Sequence, residues 1–379
     1  NVQVIVNAIN EAIGANGNTI NWAITSNYRK GIDADITKLA ADLSAGNVGA
    51  LLVYDCNPVY AYADGKKLGE AIAKVPVSIS FNATMDETTE QCKYVIPSHH
   101  WLESWGDAEP KTGYISLIQP LINPLFKTRA FQTSLIKWTG ATATPVAAPA
   151  TKDSTGAVVP APVVISTSSA DYETYLKNYW ISKLGSTDLW DKALQDGVIE
   201  TVAVPGGALF SAAKVSEAAG KLASVKGGTT EIVLYQKVSV GNGYQANNPW
   251  LQELPDPISK VTWDNYAMMS PELAKTLIGI DVMNNQRQAD SYEVTPEKPV
   301  VKITANGKSI ELPVLILPGL NSATIAIALG YGRQSANPAL SLERVGRSAT
   351  GAGKNAYPMV GFDGSTFQYT TTTKKKKTN

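Results

Sequence analysis

The sequence predicts an α/β protein in which an open parallel-sheet domain is followed by a β-barrel domain. Three observations carry this reading. Apolar runs at 49–54, 77–81 and 93–96 alternate with helical patterns, the spacing of strand–helix–strand crossovers. The pair Asn306-Gly307 stands between two β-rich runs and supplies the positive φ angles of a type I′ hairpin turn. Between these regions, residues 139–169 turn to Ala, Thr, Val and Pro, with prolines at 145, 149, 160 and 162, a composition that reads as an extended linker or surface insertion.

The first helix is expected over Asn1–Ile13, where Val2, Ile5, Val6, Ile9 and Ile13 share a face and Gly14 closes it. A second fits Asp35–Ala45, with Asp35 as N-cap, Ile36, Leu39, Ala40 and Leu43 inward and Gly46 past the end. Gly49–Tyr54 is continuously apolar and reads as a strand buried on both faces. After Asn57-Pro58 come a helix over Gly65–Lys74, a strand Val77–Phe81, a short helix capped by Asp86 and running to Gln91, and a strand Lys93–Ile96. Beyond the Pro-rich stretch, helices fit Asp171–Lys183, Thr187–Gln195 and Ser211–Leu222. The last third is β-rich: Glu231–Val240, Val300–Thr304, Ser309–Leu317 and Thr324–Leu329, with one short helix at Pro271–Leu277 and Gly-rich loops to Gly364. The expected organisation is an α/β domain at 1–140, an insertion and helical connector at 141–229, a β-barrel domain at 230–373 and a basic polar tail at 374–379.

At 379 residues, 44% hydrophobic and 17% charged, the chain has the length of two or three domains of roughly 100–200 residues each. It starts at Asn1 inside a helical pattern and ends in a polar string, so a piece of a longer polypeptide is expected. Lys plus Arg equals Asp plus Glu at 33 each, which argues against a nucleic-acid partner, whose footprint is a basic excess. No apolar run reaches the ~18–20 residues that span a bilayer. The two cysteines, Cys56 and Cys92, are too few for an iron–sulfur cluster or a structural zinc site, which take about four soft ligands. Any cluster is therefore expected outside this chain. Whether Cys56 and Cys92 are bonded is left open by sequence, because backbone geometry decides it.

Candidate chemical motifs are few. Gly351-Ala-Gly353-Lys354 resembles the end of a phosphate-binding loop, but Ser348 replaces its first glycine and Asn355 its Ser or Thr. Gly330-Tyr-Gly332-Arg333 follows a strand and opens no helix. Both read as turns. His99 and His100, the only histidines, lie in Pro97–Asp107 beside Glu103 and Asp107 and are the only metal candidates. They read either as a metal site or proton relay or as a structural loop; adjacent histidines diverge and no third ligand is fixed by spacing, which favours the loop. No nucleophile–base pair or Gly-x-Ser-x-Gly elbow is present, so no catalytic residue is expected. The Lys374–Lys377 run reads as a solvated tail.

Linked motifs carry the reading further. Leu51–Pro58, Asp86–Glu90, Tyr94–Pro97 and Glu103–Gly106 together resemble the molybdopterin oxidoreductase family: a strand ending in Asn-Pro, a Glu-Thr helix start, a strand ending in Pro, and a Glu near a Gly. Trp263-Asp-Asn265, Ser270–Ala274, Leu312-Pro-Val314, Pro318-Gly319 and Leu329–Arg333 resemble that family's C-terminal dinucleotide-binding barrel. Within the family, His99–Asp107, Gln119-Pro120, Asn123–Phe126 and Asn247–Pro257 are similar to the B-subunit branch of alternative complex III. This resemblance implies the rear of a molybdopterin-like half that lacks the molybdenum cofactor. It implies no cofactor in this chain, iron–sulfur clusters in the rest of the parent subunit, and heme c in partner subunits. The implied setting is the periplasmic side of a bacterial inner membrane, in a quinol-oxidising complex with integral-membrane subunits and a terminal oxidase as a possible further partner. Asn57, Glu87 and Asn265 are the positions where a vestigial cofactor pocket is implied. The aromatic stretch Tyr172–Trp190 and the barrel loops are the expected subunit contacts. Two alternatives stand beside this: the rear half of an active molybdenum oxidoreductase, and a soluble binding protein with a ligand in the sheet crevice.

Overall fold

The computed structural model describes residues 1–28, 30–139, 171–201, 210–224, 230–283 and 298–373, together with the short strands Thr151–Lys152 and Val158–Val159. The linker expected at 139–169 falls mostly, and the basic tail wholly, outside the described residues. Two compact units interleave along the chain. One comprises Asn1–Gly31 and Pro97–Val225, the other Ile32–Ile96 and Lys226–Asn379. The units divide the chain differently from the expected order of 1–140, 141–229 and 230–373, because residues of 32–96 such as Tyr60 and Glu87 pack on and bond to the β-rich last third.

In the second unit, strands Ala50–Val53, Val77–Ser80 and Tyr94–Val95 form a three-stranded parallel sheet in sequence order. The helices Asp33–Ser44 and Gly65–Ile72 pack on one of its faces, where Leu39, Leu43, Leu68 and Ile72 meet Leu51. The first strand is not buried on both faces as its apolar run implies. Only Val53 is buried, since the strand lies at the sheet edge and the connecting helices cover one side. The N-cap expected at Asp35 is also displaced. The helix begins at Asp33 after Ile32, and the Asp33 carboxylate accepts the backbone N–H of Phe367 at 2.8 Å instead of capping its own helix.

The last third forms a six-stranded mixed sheet ordered Val300–Ala305, Lys308–Ile316, Ala267–Met269, Thr324–Ala328, Thr230–Tyr235, Thr370–Thr373. The hairpin turn is as expected, with Asn306 at φ 50° and Gly307 at φ 74°. The sheet curls rather than closing into the expected barrel. Its end strands are not paired with each other, although Thr371 Oγ1 comes within 3.5 Å of Asn306 Oδ1. Ala267–Met269 and Thr370–Thr373 were not expected as strands: the first is short and the second is a run of threonines that only its partner Thr230–Tyr235 holds extended. The inner face of the curl buries Ile232, Met269, Leu312 and Ile327 among others, and receives Tyr60 from the short helix Pro58–Ala61. Ser270 caps the helix Pro271–Ile278 by accepting from Leu273 N at 3.1 Å.

The first unit is built around aromatic side chains. The antiparallel hairpin Gly106–Lys111 and Tyr114–Ile118, extended by Ile199–Glu200, escaped the sequence reading because its first strand carries Asp107, Glu109 and Pro110. Gly113 at φ 83° makes its turn. Helix Tyr172–Leu184 starts at Asp171, which accepts from Thr174 N at 2.8 Å, and helix Thr187–Asp196 starts at Ser186. Gly185 and Gly197 end them in the left-handed conformation. Trp180 and Trp190 are buried with Ile115, Leu176 and Ile199, and Trp180 Nε1 donates to Asp107 at 2.9 Å. The two tryptophans hold their own unit together as packing residues. Helix Val2–Ala12 lies against helix Val215–Ala223.

Candidate functional site

The second unit contains a cleft of about 800 Å³ whose lining includes Lys66, Lys67, Glu87, Lys308, Gln334 and Asn355. Its wall is reached from two directions. The loop after strand Ala50–Val53 carries Asn57, and Pro58 opens the helix that holds Tyr60. The loop after strand Thr324–Ala328 carries Gly330-Tyr331-Gly332-Arg333, with both glycines at positive φ. At Gly332 a β-carbon would stand 2.1 Å from the backbone nitrogen of Asn355, so glycine is required for the close packing of these two loops.

Glu87 and Arg333 meet at this wall as a buried ion pair. Glu87 is 6% and Arg333 8% exposed. Arg333 Nε donates to Glu87 Oε1 at 2.7 Å and Nη2 to Oε2 at 2.7 Å, the two-pronged geometry that guanidinium and carboxylate favour. Arg333 Nη1 donates to the Gly243 carbonyl at 2.6 Å. The carboxylate also accepts Gln334 N at 3.1 Å and Asn57 Nδ2 at 2.7 Å. Burial by itself pushes the Glu87 carboxyl up, but the hydrogen bonds and charge of Arg333, with Asn57, outweigh it and hold the pKa below the usual carboxylate range. Burial likewise works against the charge on Arg333, and Glu87 more than restores it.

The surrounding polar groups hold this pair in place. Asn57 Oδ1 accepts from Thr88 Oγ1 at 2.7 Å, and Thr88 Oγ1 accepts from Val59 N at 3.0 Å. Asp86 Oδ1 accepts from Thr89 N at 2.8 Å, so the expected cap is made, although the turn that follows is the 3₁₀ segment Thr89–Gln91. Burial raises the Asp86 pKa, while its bonds to Thr89 oppose that. One turn on, Glu90 accepts from Ala336 N at 2.8 Å and pairs with Arg344 at 3.5 Å.

The three positions of the implied pocket do not converge. Asn57 and Glu87 share the ion-pair network, and of the three only Glu87 lines the cleft. Asn265 is fully buried elsewhere: its Nδ2 donates to the carbonyls of Ala328 and Lys354, and its Oδ1 accepts from Lys354 N at 2.9 Å. It pins the 353–354 loop to the sheet. Gly351–Lys354 is that loop, a turn as expected. Arg333 is the residue that sequence reasoning passed over. Its signal was an arginine in an apolar, Gly-rich stretch directly after a buried strand, a place where a charge needs a partner.

In the first unit, His99 Nδ1 is 2.7 Å from Thr128 Oγ1, and His100 Nδ1 accepts from Leu102 N at 3.2 Å while the His100 backbone N–H donates to Glu103 Oε2 at 3.0 Å. Glu103 also accepts from Leu125 N at 3.0 Å, and these backbone bonds hold its pKa down. The two imidazoles thus serve as loop brackets, and among the described residues no group of three or more His, Cys, Asp and Glu is placed to hold a metal ion. Cys56 and Cys92 are free thiols. Among the described residues no helix is long and apolar enough to cross a membrane.

No protein-family model matches the chain. Over 112 residues, 28% of the chain, it is 36% identical to the menaquinone reductase, molybdopterin-binding-like subunit of Nitratidesulfovibrio vulgaris; the matched stretch is 16% of that protein. Among solved structures it resembles acetylene hydratase from Pelobacter acetylenicus, with a TM-score of 0.52 over 89% of this chain and 46% of that one, at 12% identity. The second is a likeness of fold, and the chain spans less than half the length of either protein.

Proposed function

We propose that this chain is the redox-centre-free rear part of a molybdopterin-oxidoreductase-like, iron–sulfur subunit in a respiratory quinol-oxidising complex of the alternative complex III type. In this reading it sits peripherally on the periplasmic side of the membrane. Its role is positional: it presents rigid surface that keeps a cluster-bearing domain and heme c subunits in register. The partial identity to a menaquinone reductase subunit supports the respiratory setting. The sequence motifs quoted above support the narrower assignment.

The Glu87–Arg333 pair is the observation that carries the cofactor-free role. A dinucleotide cofactor presents a pyrophosphate, which needs free cationic donors. Here the guanidinium nitrogens already donate to Glu87 and Gly243, and a carboxylate forms part of the cleft wall. Of the lysines lining the cleft, Lys308 is paired with Asp64 at 3.3 Å. The wall made by Glu87 and Arg333 therefore offers a pyrophosphate no free cationic donor. What the pair does chemically is join two loops, so that the parallel sheet and the curled sheet present one rigid surface. Specific subunit interfaces bury ~1,200 Å² or more and gain affinity from such preorganised surfaces.

Metal and pterin analysis of the purified parent assembly tests the proposal. Iron and heme without molybdenum or extractable pterin is the expected result. Molybdenum near one per subunit would replace this reading with that of an active molybdenum oxidoreductase, and isolation as a free monomer without heme partners would replace it with that of a soluble binding protein.

A further inference from the structure

Lys237 follows strand Thr230–Tyr235 in the second unit and is 4% exposed, yet among the described residues no carboxylate pairs with it. An ammonium carries three donors, and here they make one long bond, from Nζ to the Asp264 carbonyl at 3.4 Å. Two ring faces take up part of the charge: Nζ lies 4.6 Å from the centroid of Tyr266 and 5.1 Å from that of Tyr331. Asp256 and Asp264 supply negative charge nearby, and Tyr235, bonded to Tyr266, completes the titratable groups around the lysine. Asp256 is turned to its own loop, where its Oδ1 accepts from Ile258 N at 3.0 Å and Ser259 N at 2.8 Å. Burial outweighs both aspartates and pushes the Lys237 pKa down. The loop that Lys237 touches, 256–264, is itself strained. Lys260 and Trp263 both stand at φ 59°, a left-handed conformation that a bulky aromatic rarely adopts. Trp263 is held there by its own N–H, which donates to the Gln252 carbonyl at 2.7 Å.

We propose that loop 256–264 is a strap poised to open, and that the buried Lys237 ammonium is the load that opens it. Opening hydrates the ammonium donors and lets Lys260 and Trp263 leave the left-handed region. The motion reaches beyond the loop. Asp264 Oδ1 accepts from Gly353 N at 2.5 Å, and Gly332 N, next to Arg333, donates to the Ala352 carbonyl at 2.8 Å. Opening the strap therefore loosens the 351–354 loop that backs the cleft wall. In the open form Lys237 regains the ordinary lysine value of about 10.4 and binds a proton more readily than when buried. Protonation thus favours opening, and a rise in pH toward that value suppresses it. Burial raises the pKa of Tyr266 and of Tyr331, so both rings stay neutral over the same range. The device lies within one unit and operates whichever reaction the parent assembly performs.

Amide hydrogen exchange of the parent assembly, read by peptide mass spectrometry and corrected for the intrinsic rate at each pH, measures the opening. In the wild type the protection of 256–264 is expected to rise at least about threefold between about pH 7 and pH 10. Lys237→Met keeps the length of the side chain and removes the charge. It is expected to raise protection of 256–264 at neutral pH by a similar factor and to flatten the pH dependence. Peptides covering the buried strand Thr324–Ala328 are expected to stay unchanged in both. Faster exchange of 256–264 in Lys237→Met overturns the proposal, since the ammonium would then be closing the loop. A parallel rise in protection of Thr324–Ala328 also overturns it, because the effect would be global rather than local. Should Lys237→Met fail to fold, the wild-type series decides by itself: flat protection of 256–264 across that pH range overturns the proposal.

Discussion

Arg333 lies with its guanidinium carbon 4.8 Å from the centroid of the Tyr60 ring, while the Tyr60 hydroxyl donates to the carbonyl of Tyr331 at 2.7 Å. One aromatic side chain thus stacks against the buried cation and at the same time anchors the loop that carries it. Tyr60 comes from the segment after the first parallel strand and Arg333 from the loop after a strand of the curled sheet. The contact, together with Glu87, makes these two sheets parts of a single unit.

Removing one side of the pair should be worse than removing both. Arg333→Leu leaves the Glu87 carboxylate buried without its cation, which costs about 3–5 kcal/mol. Glu87→Leu combined with Arg333→Leu should cost less than Arg333→Leu alone, because no uncompensated charge remains. Urea unfolding followed by circular dichroism compares the three proteins. A double variant as damaged as the single one would mean that the pair acts through packing rather than charge.

Acid should expose the same pair. The folded pKa of Glu87 is held below its unfolded value, so the unfolded chain binds a proton first as pH falls. The stabilisation by Glu87 is complete above about pH 4.3, the ordinary glutamate value, and is lost as pH drops through the folded value. Wild-type stability should therefore fall more steeply below that pH than the stability of Glu87→Gln. Chemical denaturation at a series of acid pH values measures the two slopes, and parallel slopes would contradict the assignment.

Two glycines with similar backbone angles should respond differently to alanine. Gly351, at φ 81°, has open space where a β-carbon would go, so Gly351→Ala carries only the left-handed penalty of roughly 1 kcal/mol. Gly332, at φ 68°, would drive its β-carbon into the backbone of Lys354 and Asn355. Gly332→Ala should cost several times more, on the order of 3 kcal/mol or above, and loosen Arg333 beside it. Thermal melting of both variants ranks them.

The two free thiols should separate by alkylation rate. Cys56 is exposed; Cys92 is half-buried, and burial pushes its pKa up to about 11. Iodoacetamide at neutral pH should modify Cys56 first. The rate at Cys92 should then climb about tenfold per pH unit until its thiol ionises, as expected when the thiolate is the reactive form. Peptide mass spectrometry with time resolves the two sites. Equal rates would show that Cys92 is reached through local opening.

Local chemistry was legible in the sequence. Apolar spacing placed the helices near Val2–Ala12, Thr187–Asp196 and Pro271–Ile278, and Asn306-Gly307 marked the hairpin, because helix periodicity and positive-φ turns are properties of a few adjacent residues. Tertiary structure decided what depends on distant partners: the exposed side of Ala50–Val53, the use of Asp33 on Phe367 rather than as a cap, the threonine strand Thr370–Thr373, and the assembly of Asn57, Glu87 and Arg333. The physical reason is the same in each case. A carboxylate in sequence is only an acid, and whether it caps a helix, faces water or neutralises an arginine 246 positions away is settled when the chain brings those groups within hydrogen-bond distance.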